Sequence, residues 1–110
     1  MKQGEIWFAS LNPIKGSEQV GFRPVLIVSG NLLNENAPVI FICPLTTKIK
    51  NYHGNLILTP NKVNKLNKKS EVLTFHIRSI AKTRLKEKIG KIDSKELAVV
   101  HCCINDILKY

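Results

Sequence analysis

From Glu5 to Ile77 the apolar residues of this chain come in short bursts, and beyond Asp93 they fall on a helical period. That change of period constrains the fold most. It predicts several short strands followed by one terminal helix. Glu5-Ile6-Trp7-Phe8-Ala9 has the aromatic and β-branched content of a strand. Val25 to Ser29 and Val39 to Cys43 are unbroken apolar runs, as expected of strands buried on both faces. Leu56 to Leu58 and Val72 to Ile77 supply two more, the second roughly alternating. Asn61 to Ser70 carries Lys62, Lys65, Lys68 and Lys69 among asparagines and reads as an exposed basic connection. Ala81 to Glu87 reads as a further helical turn with Arg84 exposed.

Asp93-x-x-Glu96 has the spacing of a capping box with aspartate as the cap. Behind it Leu97, Val100, Ile104, Ile107 and Leu108 share one helical face, which Ala98, Val99, Cys102 and Cys103 widen. A helix this apolar needs cover from its own sheet or from a second subunit.

At 110 residues, 44% of them hydrophobic, the chain suits one domain, residues 1–110, with one modest core and no internal repeat or linker. It has no run of 18 apolar residues and no signal-peptide pattern, so the expectation is a soluble, cytoplasmic chain without a membrane partner. Seventeen Lys and Arg against eight Asp and Glu give a net charge of +9, which favours a polyanionic partner. Cys43, Cys102 and Cys103 have no paired spacing and read as reduced, mostly buried thiols. His101-Cys102-Cys103 does not make a metal site, since consecutive helical residues point about 100° apart. Neither a metal nor a cofactor is expected.

The segment Gly16-Ser17-Glu18-Gln19-Val20-Gly21-Phe22-Arg23-Pro24 leads directly into the Val25 strand. Gly16 and Gly21 permit positive φ and a close backbone approach to a ligand. Pro24 fixes its own φ and holds Arg23 extended, so one guanidinium projects from a rigid base, suited to bidentate phosphate binding.

Gly4-Glu5-Ile6-Trp7, Leu11-Asn12-Pro13, Gly16-Ser17-Glu18-Gln19 and Arg23-Pro24-Val25-Leu26-Ile27 resemble the N-terminal half of the MazF/PemK-like endoribonuclease toxins. Pro44-Leu45-Thr46-Thr47, Ile77-Arg78-Ser79-Ile80 and Arg84-Leu85 continue the resemblance in the same order. It implies a mainly β (α+β) fold, a small SH3-like barrel of antiparallel strands with a C-terminal helix, acting as a homodimer. The implied activity is metal-independent cleavage of single-stranded RNA at short motifs. An acidic antitoxin would neutralise it, and operator DNA would be bound only together with that antitoxin.

By the same resemblance Arg23 and Thr46 are the catalytic pair. Gly16, Ser17, Gln19, Gly21 and Phe22 form the loop over the substrate, with Thr47 and Lys48 beside Thr46 and Arg78 lining the groove. Neighbours on a strand point to opposite faces, so only one of Thr46 and Thr47 faces the site. Where many members carry Glu-Gln before the Ile-Arg pair, this chain has Phe75-His76.

Such cleavage uses the adjacent 2′-hydroxyl as nucleophile and leaves a 2′,3′-cyclic phosphate and a 5′-hydroxyl. Arg23 suits the phosphorane oxygens but not the role of base, because a guanidinium is not deprotonated in proteins. Thr46 can donate to a non-bridging oxygen. The general base remains open between Glu18 in the loop and His76, which as a strand residue two from Arg78 would share its face. Each also has a plain structural reading, as a loop tether and as a locally bonded strand histidine. Of the aromatics, Phe22 and Tyr52 read as loop residues able to stack on a base, and Trp7, Phe8 and Phe41 as core. His53 has no assigned partner. The barrel is shared by the gyrase poison CcdB, so a non-catalytic toxin or an antitoxin- and operator-binding regulator is the alternative.

Overall fold

The computed structural model describes residues 1–11, 22–52 and 54–110. The strands are β1 (Glu5–Ser10), β2 (Phe22–Ile27), β3 (Val39–Thr46), β4 (Ile57–Leu58), β5 (Ser70–Val72), β6 (Arg78–Ala81) and β7 (Leu85–Lys91). Helix α1 (Asn31–Asn36) joins β2 to β3, and α2 (Ser94–Lys109) closes the chain. The strands pair antiparallel in the order β4-β5-β3-β2-β1-β7, with β6 also on β3. The result is the curled antiparallel sheet with a C-terminal helix that the resemblance implies.

The apolar runs in β2 and β3 exist because both faces of the central sheet are covered. Leu26, Cys43 and Leu45 face one cluster with Ile6, Leu58, Val72, Ile92 and Val100. Val25, Ile27, Ile40 and Ile42 face the other with Ala9, Ile80 and Leu85. Ile6, Leu26, Ile27 and Val100 are fully withdrawn from water, each contributing about 1.5–3 kcal/mol. Two register shifts between β1 and β7 tighten the curl, as bulges do. Beyond β4, residues 61–65 reach across to β7, where the Lys91 amide donates to the Val63 carbonyl at 3.1 Å. Gly90 permits this approach. A Cβ there would lie 2.6 Å from both the Asn64 carbonyl carbon and the Val63 oxygen.

Asp93 caps α2 with the complete reciprocal box: the Glu96 amide donates to its carboxylate at 2.8 Å and its own amide to Glu96 at 3.0 Å. The helix lays Val100 and Cys103, with Leu97 and Ile104, on the sheet. Val99, Ile107 and Leu108 are exposed, so the apolar face seen in the sequence is only half covered by the chain's own sheet.

Several expectations change. The run from Val72 to Ile77 is not one strand: β5 stops at Val72 and a 3₁₀ turn occupies Thr74–His76 before β6 begins. Thr74 is fully buried and bonded to Asn55 at 2.6 Å, which pulls the chain off the ladder. The turn at Lys82–Arg84 is shorter than the expected one and gives way to β7 at Leu85. Arg84 is half-buried rather than exposed, its guanidinium donating to the Ser10 carbonyl at 3.2 Å. Phe22 lies on β2 rather than in a loop. Phe8 and Phe41 are exposed rather than core, while Trp7 is half-buried and donates to Glu5 at 3.0 Å. Cys102 is exposed, unlike Cys43 and Cys103. The basic connection from Asn61 to Ser70 is mostly exposed as expected, but Ser70 is buried and opens β5, and Asn64 is buried, accepting from the Asn61 and Leu66 amides and donating to the Thr59 carbonyl.

Candidate active site

Arg23 stands on β2 across from Ala9 of β1 and is exposed. Pro24 and the buried triplet Val25-Leu26-Ile27 anchor its base in the sheet. In the β2–β3 ladder Val25 pairs with Pro44, Leu26 with Cys43 and Ile27 with Ile42. The pairing ends at Val25 and Pro44; continued two residues further, the same register would set Thr46 across from Arg23. Alternation puts both on the face of Val25 and Ile42.

Thr46 is half-buried, and its hydroxyl oxygen accepts the Lys48 amide at 3.1 Å. That bond orients the hydroxyl while its proton stays available for donation. Thr47 serves the other face: with Phe8, Pro24 and Ile89 it lines a cavity of about 340 Å³ edged by Lys65 and Lys68. Lys48 is exposed beside the pair.

Arg78 opens β6 across from Ile42, on the same face as Arg23 and Thr46. Thr46 lies four steps along β3 from Ile42, so Arg78 enters the face about 13 Å further along the strand. An extended chain lying along this face would pass both arginines.

His76 ends the 3₁₀ turn and does not share a strand with Arg78, so the same-face argument for it fails. Its ring is exposed and packs on Phe75 with centroids 4.6 Å apart. Glu18, Gly16, Ser17, Gln19 and Gly21 lie outside the described residues, as does His53.

Sequence reasoning passed over Glu71. It pairs with Thr46 in the β3–β5 ladder and is fully buried. Burial alone pushes its pKa up. The Asn55 amide and the backbone amides of Lys50, Asn51 and Tyr52, all at 2.9–3.0 Å, outweigh that effect and hold it below the usual carboxylate value. A carboxylate so satisfied is a weak proton acceptor, so Glu71 braces the site rather than serving as its base. No local pattern marks it, because its donors come from another segment.

Among the described residues no three His, Cys, Asp or Glu side chains converge as a metal-binding group. Of His101-Cys102-Cys103, Cys103 is buried and meets Thr74 at 3.0 Å, the exposed His101 ring reaches the Val28 carbonyl at 3.0 Å, and Cys102 is exposed.

The match to known proteins covers the whole of this architecture. Residues 2–108 match the family described as the PemK-like, MazF-like toxin of type II toxin-antitoxin systems. The endoribonuclease MazF of Staphylococcus saprophyticus is 33% identical over 111 aligned positions, covering 96% of this chain and 88% of that protein. The crystal structure of MazF from Deinococcus radiodurans superposes with a TM-score of 0.81 at 27% identity, covering 100% of this chain and 97% of that one. A MazE–MazF crystal structure from the same organism shares the fold with a TM-score of 0.79 at 24% identity, over 98% and 95% of the two chains. With its sheet, its helix and nearly every residue aligned to them, this chain belongs to the PemK/MazF-like toxin family.

Proposed function

We propose that the chain is an endoribonuclease that cuts single-stranded RNA without a metal, by attack of the 2′-hydroxyl on the adjacent phosphate. The observation that carries this reading is the β2–β3 register, Val25 on Pro44, whose continuation would set Thr46 across from Arg23 at the ends of the two strands. Arg23 neutralises the equatorial oxygens as negative charge builds on the phosphorane. Thr46, already oriented by the Lys48 amide, donates to a non-bridging oxygen. The proton leaving the 2′-hydroxyl goes to Glu18 or to His76, and as the P–O5′ bond breaks the departing 5′-oxygen takes a proton from water to leave as the 5′-hydroxyl. Arg78 holds the chain further along the same face. The relative named endoribonuclease MazF supports RNA cleavage as the activity.

The partners follow from charge and from the uncovered helix. Single-stranded RNA and an acidic antitoxin compete for one basic face, consistent with a net charge of +9 and with a relative crystallised as MazE–MazF. The exposed Val99, Ile107 and Leu108 of α2 fit a homodimer contact. Operator DNA is bound only in the antitoxin complex, and the toxin acts in the cytoplasm.

The test is cleavage of a long single-stranded RNA in EDTA by the wild type, with Arg23→Ala and Thr46→Ala purified identically. Discrete cuts ending in 2′,3′-cyclic phosphate, lost in Arg23→Ala, are expected. No cutting by the wild type across several RNAs would move the protein to the non-catalytic alternative.

A further inference from the structure

Two exposed aromatic rings outside the core lie against each other on segments that one buried carboxylate holds in place. Tyr52 and Phe75 meet edge to face, their centroids 5.0 Å apart with planes at 81°, and each is close to half exposed. The His76 ring continues the group, 4.6 Å from Phe75.

Their scaffold is costly, since a fully buried carboxylate must find a donor for each lone pair. Glu71 accepts from the Lys50, Asn51 and Tyr52 amides and from the Asn55 side chain. Asn51 takes a positive φ of 57° in this turn. The Asn55 carbonyl oxygen in turn accepts the Thr74 hydroxyl at 2.6 Å, one residue before Phe75. Glu71, Asn55 and Thr74 therefore lock the turn that presents Tyr52 to the turn that presents Phe75.

The position of this pair matters as much as its build. β5 pairs with the end of β3 through Glu71 and Thr46, and β6 pairs with its middle through Arg78 and Ile42. The 3₁₀ turn carrying Phe75 and His76 bridges those two pairings. It lies beside β3 between Thr46 and Arg78, the two points where the face can hold a phosphate chain.

We infer that Tyr52 and Phe75 form a two-walled stacking platform for one unpaired nucleobase of a bound RNA, next to the nucleotide held at Arg23 and Thr46: the base stacks on the face of one ring and meets the other, perpendicular ring at its edge. The inference rests on the ribonuclease reading for the identity of the ligand. Stacking needs only a flat π-face, so the platform adds affinity and fixes the path of the strand with little choice among bases.

Binding is measured by fluorescence anisotropy with single-stranded 2′-O-methyl RNA, which no 2′-hydroxyl chemistry can cut. The proteins are the wild type, Tyr52→Ala, Tyr52→Phe and Phe75→Ala. The alanine variants are expected to weaken binding by roughly 5- to 150-fold, the range for losing one base–aromatic stack, while Tyr52→Phe binds as the wild type. In the wild type, an abasic substitution at one position of the probe should cost as much. In Tyr52→Ala the same substitution should cost nothing further, as for two partners of one contact. Equal affinity of wild type and both alanine variants would overturn the platform. So would loss of affinity only for an acidic peptide, which would give the surface to a protein partner. The ribonuclease reading fails separately: a wild type that cuts no RNA, yet binds the probe in a Tyr52-dependent way, loses the reaction and keeps the platform.

Discussion

Replacing Gly90 by alanine opposes two effects of different size. Gly90 does not have a positive φ, so alanine suits its backbone and should stabilise by about 0.4–1 kcal/mol through the unfolded chain. Against this, the new Cβ would sit 2.6 Å from the Val63 oxygen and the Asn64 carbonyl carbon, where ordinary contact begins at 3.4 Å. Both obstacles are backbone, so residues 61–65 must retreat by about 1 Å, and overpacking of that kind costs about 1–3 kcal/mol. The retreat also strains the Lys91–Val63 hydrogen bond, worth about 1 kcal/mol net, and disturbs the buried Asn64 network. The steric side wins, leaving a net loss of about 2–3 kcal/mol. For a chain of 110 residues that lowers Tm by roughly 8–12 °C. Differential scanning calorimetry reads the shift directly. An unchanged or raised Tm would show that the crossing from β4 to β7 does not depend on this close approach.

Three further outcomes are expected. Burial raises the Glu5 pKa, but the Lys2 amide, the Trp7 indole and Lys88 lower it further, to about 2 against an ordinary 4.5. Its stabilisation is therefore complete above pH 4.5 and lost as pH falls toward 2. It is worth about 2 kcal/mol once screening at the exposed Lys88 end is allowed for, and Glu5→Gln should flatten the acid-unfolding curve across that window. Thr46→Ala should lower kcat by about 10²–10³ with little change in KM, while Thr46→Ser keeps most of the rate; equal loss in both would put the methyl group, not the hydroxyl, in the role. Native-state thiol titration should label Cys102 quickly and leave Cys43 untouched, since burial and then the nearby Cys103 push the Cys43 thiol up to about 12; simultaneous labelling of both would contradict the core packing.

How much was legible in the sequence depended on whether the cause was local. β1 to β3 were visible because their apolar runs answer to cover on both faces, and the cap of α2 because Asp93 and Glu96 bond each other. β7 was not visible. Its Leu-Lys-Glu-Lys-Ile-Gly-Lys sequence buries only Leu85 and Gly90, as an edge strand can. The break at Thr74 depends on Asn55, nineteen positions away, and the burial of Glu71 on amides from residues 50–52. Arg23 was found through Pro24 and the strand behind it. The β2–β3 register that relates its strand to the one carrying Thr46 is long-range, and no local pattern supplies it.

The most direct test of the central claim removes one atom from the substrate. Once a cut has been mapped in an RNA oligonucleotide, the same oligonucleotide is made with a single 2′-deoxy sugar on the 5′ side of the scissile phosphate and incubated with the wild type in EDTA. Cutting at that bond is expected to disappear while binding and cutting at any second site persist. Cleavage of the deoxy linkage at a comparable rate would mean that the nucleophile is not the 2′-hydroxyl, and the roles given to Arg23 and Thr46 would fall with it.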